Sequence, residues 1–242
     1  MISYSSLNNI NQPQRRAECI TIDRLAPDFI ALSTFGYVRL SDYKGKWLFI
    51  MSSASAFNNV ATTEIMDAAL NYEKFLERNA DIIGLTADTN SANLAWVYDI
   101  FQKTGITIPF PIISDVDLTL SELYGMLNPD RMFAQTVRST FIINPFGKIQ
   151  GILTMPASTG KNTNEYIRLL DSMQIKEKYN LDTPAAWKPG DPVLIPNANS
   201  YQEIIARVNS EEALGYNCPF WYVCYTNINT ETTGSNAEIK QP

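Results

Sequence analysis

Hydrophobic and polar positions along this chain predict strands and helices in turn. Residues 48–52 (LFIMS) and 81–88 (DIIGLTAD) are short, continuous apolar runs, which indicate strands buried on both faces of a sheet. Between them, apolar residues recur at helical spacing over about residues 61–78. This spacing predicts one amphipathic helix, with an apolar face of Ile65, Ala69, Tyr72 and Leu76 and with Glu64 among its polar positions.

The remaining segments predict further strands and helices in the same alternation. The chain predicts an edge strand at 19–22, short strands or a hairpin over 26–46 with Gly36 and Gly45 in turns, and a strand at 111–115. It also predicts a helix from Ser91 to Gly105, a short helix ending near Gly125, a hairpin turning at 144–147, and a long helix over 162–180. Strands alternating with helices, followed by a hairpin and a closing helix, predict an α/β fold with a mixed sheet.

Bulk composition narrows the class of protein. The chain has 242 residues, 45% of them hydrophobic and 18% charged, which is enough to build a globular core. A net charge of −6 argues against nucleic-acid binding, and the lack of a run of about 18 apolar residues argues against a membrane span. The first 16 residues lack the basic start and apolar centre of a secretory signal, so we expect a cytoplasmic protein.

Histidine is absent from the chain, and this absence excludes much chemistry. Ser-His-Asp and Cys-His mechanisms, His-ligated haem and most catalytic zinc sites all require it. Three cysteines, Cys19, Cys218 and Cys224, are too few for a disulfide framework. We therefore expect neither a metal nor a cofactor, and Cys19 is most simply a small core residue.

The order of these segments and their amino-acid sequences resemble those of the peroxiredoxins, which are thioredoxin-fold peroxidases of the AhpC/TSA type. The resemblance covers residues 24–225 and rests on APDFIALSTFGYVRLSDYKGKWLF, PIISDVDLTLSELYGML and VRSTFIINPFGKIQGILTMPASTGKNTNEYIRLLDSMQ. WKPGD followed by CPFWYVC is similar to the C-terminal extension of the long-armed, archaeal-type branch. The polar composition of the two ends and this resemblance together predict four segments: an N-terminal arm and edge strand (1–23), a thioredoxin-fold core (24–180), a C-terminal oligomerisation arm (181–225) and a mobile polar tail (226–242).

The stretch SASAFNNVATTE, residues 53–64, stands where this family carries its active loop. The family motif is Pro-x-x-x-Thr-x-x-Cys followed by Thr-Thr-Glu, and its cysteine thiolate attacks peroxide. When the two sequences are aligned on ATTE, Ala61 replaces the cysteine, Asn58 the threonine and Ala54 the proline. An engineered Cys→Ala change would have left the other two positions intact, so we favour natural divergence.

The rest of the pocket is partly retained. Thr62–Glu64 and Arg138, in TVRSTFIINP, match the family pattern, whereas Ser53 stands at a position that is often histidine in the long-armed branch. Arg138 and Glu64 predict a structural ion pair, because a buried charge requires a partner. The alternative is a vestigial anion pocket formed by Ser53, Asn58, Glu64 and Arg138 at the helix N-terminus.

These replacements predict a pseudoenzyme. Alanine offers no lone pair to a peroxide, so we predict a non-catalytic homologue that is a structural, binding or regulatory subunit. The resemblance implies self-association as a dimer or a ring-shaped decamer, or assembly with an active relative. A ligand-binding or chaperone-like role for the vacated pocket stays open.

The C-terminal cysteines leave a second hypothesis open. Six strand steps from Cys218 to Cys224 would span ~20 Å and forbid a disulfide, whereas a turn between them would allow one. We favour two reduced cysteines. The alternative is residual thiol peroxidase or disulfide oxidoreductase activity through this possible redox pair.

Aromatic residues concentrate in the predicted arm. Because aromatic side chains anchor protein interfaces, we predict a subunit interface at four of them: Trp187, Phe220, Trp221 and Tyr222.

Overall fold

The computed structural model describes residues 20–127, 136–209 and 215–228. The chain forms two compact units, Met1–Lys161 and Asn162–Pro242. The long helix that follows Lys161 therefore falls in the second unit, whereas the sequence analysis placed the boundary between core and arm at residue 180. Most of the predicted N-terminal arm, with Cys19, and the tail from residue 229 onward lie outside the described residues.

A seven-stranded mixed sheet forms the centre of the first unit. Its strands, in the spatial order β2-β1-β5-β4-β3-β6-β7, are β1 (Ile30–Ser33), β2 (Gly36–Arg39), β3 (Trp47–Ser52), β4 (Ala80–Thr86), β5 (Ile112–Ser114), β6 (Ser139–Ile143) and β7 (Ile149–Thr154). The strands β3, β4 and β5 run parallel to one another, and the other pairings are antiparallel. The predicted α/β class and the predicted hairpin turning at 144–147 are confirmed, and of the two alternatives left open for residues 26–46 the structure forms the hairpin.

The central strands are apolar on both faces because neither face meets water. In β3, Leu48 and Ile50 join a cluster of buried hydrophobic residues on one side of the sheet. Phe49, on the other side, packs edge-to-face against Phe75, with the ring centroids 5.1 Å apart. Every residue of β3 is buried, which is why its sequence is a continuous apolar run.

Five helices accompany the sheet among the described residues of the first unit. They are a 3₁₀ helix (Leu40–Tyr43), α1 (Asn59–Leu70), α2 (Tyr72–Leu76), α3 (Asn90–Thr104) and α4 (Thr119–Leu123). The predicted start of α3 was wrong, because the side chain that caps it is Thr89, whose Oγ1 accepts from the Ala92 N–H, rather than Ser91. Its predicted end is confirmed: Gly105 adopts the left-handed conformation, with a φ of 73°.

The single helix predicted for residues 61–78 was wrong, since the structure has two. Helix α1 ends at Asn71, whose side-chain amide donates to the Asp67 carbonyl oxygen at 2.8 Å and so competes with the backbone ladder. The break changes which side chains of α2 face inward: Phe75 is fully buried, whereas Leu76 is 41% exposed. Within α1, Glu64 was expected among the polar positions but is buried.

The predicted edge strand at residues 19–22 is absent from its described part. Residues 20 and 21 have no regular structure, and a turn at Ile22 and Asp23 follows them. Asp23 adopts a φ of 66°, and its backbone N–H donates to the Ile149 carbonyl oxygen at 2.7 Å. This turn satisfies the backbone groups without a strand ladder.

In its described residues, the second unit combines two helices with a small sheet. Its elements are α5 (Thr163–Tyr179), β8 (Val193–Leu194), α6 (Tyr201–Asn209), β9 (Asn217–Phe220) and β10 (Val223–Thr226). Asn162 caps α5 by accepting from the backbone N–H groups of Asn164 and Glu165. The three strands form an antiparallel sheet in the order β8-β10-β9.

Candidate functional site

The corner between β3 and α1 is held in place by the neighbouring parallel strand. The Ser53 N–H donates to the Leu85 carbonyl oxygen at 2.8 Å, and the Ala56 N–H donates to the Asp88 carboxylate at 2.6 Å. Ala54 lies half-buried between them. The first residues after β3 therefore continue along β4 before the chain turns into the helix.

Asn58 begins α1 as its N-cap. Its side-chain Oδ1 accepts from the Ala61 N–H at 3.0 Å, and its carbonyl oxygen accepts from both the N–H and the hydroxyl of Thr62. Ala61 itself is 0% exposed. The helix N-terminus thus satisfies one of its free N–H groups internally, and the Asn58 oxygen is occupied by this capping role.

Arg138 and Glu64 form the predicted ion pair. Arg138 Nη2 donates to Glu64 Oε1, and the two side chains are 2% and 3% exposed. Arg138 Nη1 donates to the carbonyl oxygens of Pro156, Ala157 and Thr159 at 2.9, 2.9 and 3.2 Å. Arg138 therefore connects α1 with the segment that follows β7.

Lys161 completes this buried cluster, and the sequence analysis missed it. Its side chain is 1% exposed, with Nζ 2.5 Å from the Ser52 carbonyl oxygen and 3.9 Å from Glu64 Oε2. Its backbone N–H donates to Glu64 Oε1 at 2.7 Å. A lysine between glycine and asparagine in a loop is typical of a solvated position, so no hydrophobic pattern indicated its burial.

Burial lowers the pKa of the Lys161 ammonium to about 8, because the charged form loses its hydration. The Glu64 carboxylate opposes this shift, and the Arg138 guanidinium adds to it. The cluster therefore contains one carboxylate and two cationic side chains. Glu64 Oε2 and Arg138 Nε have no hydrogen-bond partner among the described residues.

Of the four residues of the predicted anion pocket, the structure joins only Glu64 and Arg138 directly. Ser53 is buried, and its backbone groups bond to Leu85 and to the Thr136 hydroxyl. Asn58 caps the helix instead of contacting Arg138. The described residues of the first unit contain no cysteine, so this corner has no thiol within that part of the chain.

Cys218 and Cys224 form a disulfide, so the expectation of two reduced cysteines was wrong. Trp221 and Tyr222 make the turn between β9 and β10, which places the cysteines opposite each other, with their Cα atoms 4.1 Å apart. The chain reverses direction, so the spacing along a single strand does not apply.

The four aromatic residues of the predicted interface fall into two groups. Trp187 is 3% exposed and donates from Nε1 to the Asp191 carbonyl oxygen at 3.0 Å, so it has almost no surface for a partner. Phe220, Trp221 and Tyr222, here called the aromatic tip, are 57%, 53% and 49% exposed. Of these four residues, only the three of the aromatic tip are exposed enough to contact a partner.

Nowhere among the described residues do three or more cysteine and carboxylate side chains come together in a way that could hold a metal ion. No helix in the described part of the chain is both long and apolar enough to cross a membrane.

Family models match the chain in both units. The model described as the AhpC/TSA family matches residues 22–152, and the model described as the C-terminal domain of 1-Cys peroxiredoxin matches residues 172–211. Among relatives, "Peroxiredoxin 2" of Caldanaerobacter subterraneus subsp. tengcongensis is 43% identical over 84% of this chain and 91% of its own length. The "Peroxiredoxin" of Aquifex aeolicus is 37% identical over 87% of this chain and 100% of its own.

Solved structures show the same likeness. A yeast mitochondrial 1-Cys peroxiredoxin superposes with a TM-score of 0.77 at 31% identity, covering 86% of this chain and 99% of that one. A cysteine-to-serine mutant of the peroxiredoxin 6 of Arenicola marina gives a TM-score of 0.76 at 30% identity, covering 86% of this chain and 98% of that one. The predicted thioredoxin fold is thereby confirmed.

Proposed function

Because this chain belongs to the AhpC/TSA family of peroxiredoxins, we propose that it is a non-catalytic member, a structural, binding or regulatory subunit of a dimer or ring. The observation that carries the proposal is Ala61, which stands in the first turn of α1 where the family's motif has its cysteine. Its partners would be further copies of itself or an active relative.

Loss of the thiol removes the chemistry itself. A peroxidatic cysteine attacks the terminal peroxide oxygen as a thiolate, becomes a sulfenic acid and releases the alcohol or water. A methyl group has no electron pair to give. The first turn of α1, whose N–H groups would stabilise a thiolate, is partly closed at Ala61 by the Asn58 cap.

The contacts made by the buried charged residues support a structural role for the corner between β3 and α1. Arg138 donates hydrogen bonds to three carbonyl oxygens and to Glu64. The Lys161 ammonium donates to the Ser52 carbonyl oxygen and lies near the Glu64 carboxylate. These contacts tie α1, β3 and the segment after β7 together. The retained residues are those that stabilise this fold.

Peroxide consumption by the reduced protein tests the proposal. The wild type is compared with a Cys218→Ser/Cys224→Ser variant and with Ala61→Cys, and thiols are counted before and after. We expect only slow, free-thiol-like consumption by the first two proteins. Rapid consumption by the double variant would refute the proposal, because that protein keeps no thiol except Cys19.

Assembly is tested separately by sedimentation velocity. We expect a dimer or a larger ring at micromolar concentration, because the aromatic tip exposes three large side chains. A Trp221→Ser/Tyr222→Ser variant should sediment as a smaller species. A wild type that stays monomeric would contradict the subunit role while leaving the loss of peroxidase activity untouched.

The Cys218–Cys224 disulfide favours one second candidate, a residual thiol peroxidase or disulfide oxidoreductase. In the peroxidase reaction, one cysteine thiolate would take an oxygen from the peroxide and release the alcohol. The other thiol would then displace water and form the disulfide. Cys224 is 0% exposed, which limits its access to peroxide. Rapid consumption by the wild type that the double variant lacks would establish this candidate.

A further inference from the structure

Strand β9 is a short strand at the edge of its sheet, and the Cys218–Cys224 disulfide links it to β10. It is a four-residue edge strand, and only Cys218 within it is even half-buried. Pro219 has no N–H to give to the ladder. Its register with β10 pairs Phe220 with Val223 and Asn217 with Tyr225, and this register shifts between the two pairs.

Strand β10, in contrast, lies in the middle of its sheet. It pairs with β8 through Tyr225 and Thr226, and the Cys224 carbonyl oxygen accepts from the Ile195 N–H at 2.9 Å. Cys224 is also 0% exposed. The disulfide therefore ties an exposed edge strand to the central strand of the sheet.

The two sulfur-bearing residues differ in access. Cys218 is half-buried on the edge strand, whereas Cys224 is fully buried in the central strand. We propose that the Cys218–Cys224 disulfide is a thiol–disulfide exchange site, at which an external dithiol attacks Cys218, and that its reduction releases β9 and the aromatic tip.

The exchange proceeds in two balanced steps. A thiolate of the dithiol attacks Cys218 Sγ, the bond between the two cysteines breaks, and Cys224 leaves as a thiolate that takes up a proton. The second thiol of the dithiol then attacks the mixed disulfide, becomes part of an oxidised dithiol and releases Cys218. Two electrons and two protons pass to the protein.

Release of β9 acts directly on the aromatic tip. Phe220 stacks on Tyr222 with ring centroids 5.4 Å apart, and Trp221 meets Tyr222 edge-on at 5.3 Å. Phe220 ends β9, so freeing that strand breaks the stack. This exchange stands apart from the loss of peroxidase chemistry at Ala61, because no atom of that corner takes part.

The attacked sulfur is identified with a monothiol, which stops at the mixed disulfide. Oxidised Cys19→Ser protein, which keeps only the pair, is treated briefly with glutathione, and free thiols are alkylated at once. Fragment masses then locate both groups. We expect glutathione on Cys218 and the alkyl group on Cys224, in at least about tenfold excess over the reverse. Equal or reversed labelling, or no reaction at all, would overturn the proposal.

Release of β9 is measured by amide hydrogen exchange and by acrylamide quenching. On reduction with dithiothreitol, exchange should speed up in residues 217–220 but not in residues 193–195. Trp221 is the one tryptophan more than 3% exposed, so quenching of tryptophan emission should also rise. Trp221→Phe should abolish that rise, and the oxidised Cys218→Ser/Cys224→Ser protein should behave like the reduced wild type. Unchanged exchange in residues 217–220 would refute the release.

Discussion

Replacing Lys161 with methionine should change how the stability of this protein depends on pH. The ammonium is buried against Ser52 and shares Glu64 with Arg138, so the charged form is costly in the folded state. Methionine has a similar length and no charge. The variant therefore removes the titration while it keeps most of the packing.

The magnitude follows from the lowered pKa. Lys161 titrates near pH 8 when folded and near 10.5 when unfolded. Between these values the unfolded chain binds more protons, so the free energy of unfolding rises with pH. From pH 7 to pH 10 this contribution amounts to about 2 to 3 kcal/mol. Burial raises the pKa of Tyr43 to about 12, so its contribution to the free energy of unfolding falls as the pH rises further. This contribution is the same in the wild type and in Lys161→Met, so it cancels when the two proteins are compared.

Urea unfolding of both proteins at pH 7 and pH 10 measures the effect. The wild type should gain about 2 to 3 kcal/mol relative to Lys161→Met between the two pH values. Lys44→Met, at an exposed position, is the matched control and should track the wild type. If the free energy of unfolding changes by the same amount in Lys161→Met and in the wild type between pH 7 and pH 10, folding does not lower the pKa of Lys161. The description of the buried cluster would then be wrong.

Three further predictions concern stability. Glu64→Gln leaves two buried cations without a carboxylate and should cost about 3 to 5 kcal/mol by urea unfolding, whereas Glu64→Leu with Arg138→Met should cost less than the sum of its single changes. Asn58→Ala removes the cap of α1 and should cost about 1 kcal/mol, of which Asn58→Thr should restore most, as differential scanning calorimetry would show. Reducing the Cys218–Cys224 disulfide opens a small loop and should lower the free energy of unfolding of the second unit by about 2 kcal/mol. Its melting temperature should therefore fall when a reductant is added, whereas the reductant should not change the melting temperature of Cys218→Ser/Cys224→Ser.

Several elements followed from the sequence because their signals are local. The buried run at Trp47–Ser52, the left-handed Gly105 and the turn after Ile143 each depend on residues within a few positions of one another. The break at Asn71 was missed, although its cause is equally local. An asparagine side chain that bonds to the preceding turn competes with the helix, and the continuous apolar spacing on either side concealed it.

The candidate site was predicted in part. The positions of Ala61, Asn58 and Arg138 followed from the family resemblance, and the Glu64–Arg138 pair followed from the cost of a buried charge. The capping role of Asn58 could have been expected, because asparagine is a favoured N-cap. The burial of Lys161 could not have been expected, since Lys161 is distant in sequence from its contacts and no sequence pattern indicates a buried lysine.

The sequence by itself determined the α/β class, the family and the absence of a cysteine at position 61, because these depend on residue identity and local spacing. The tertiary structure alone decided that Lys161 joins the buried Glu64–Arg138 pair and that Cys218 meets Cys224. Glu64 and Lys161 are 97 residues apart along the chain, and their contact exists only because β3, α1 and the segment after β7 converge. The Cys218–Cys224 disulfide likewise required the chain to reverse between the cysteines, which residue spacing permits but does not impose.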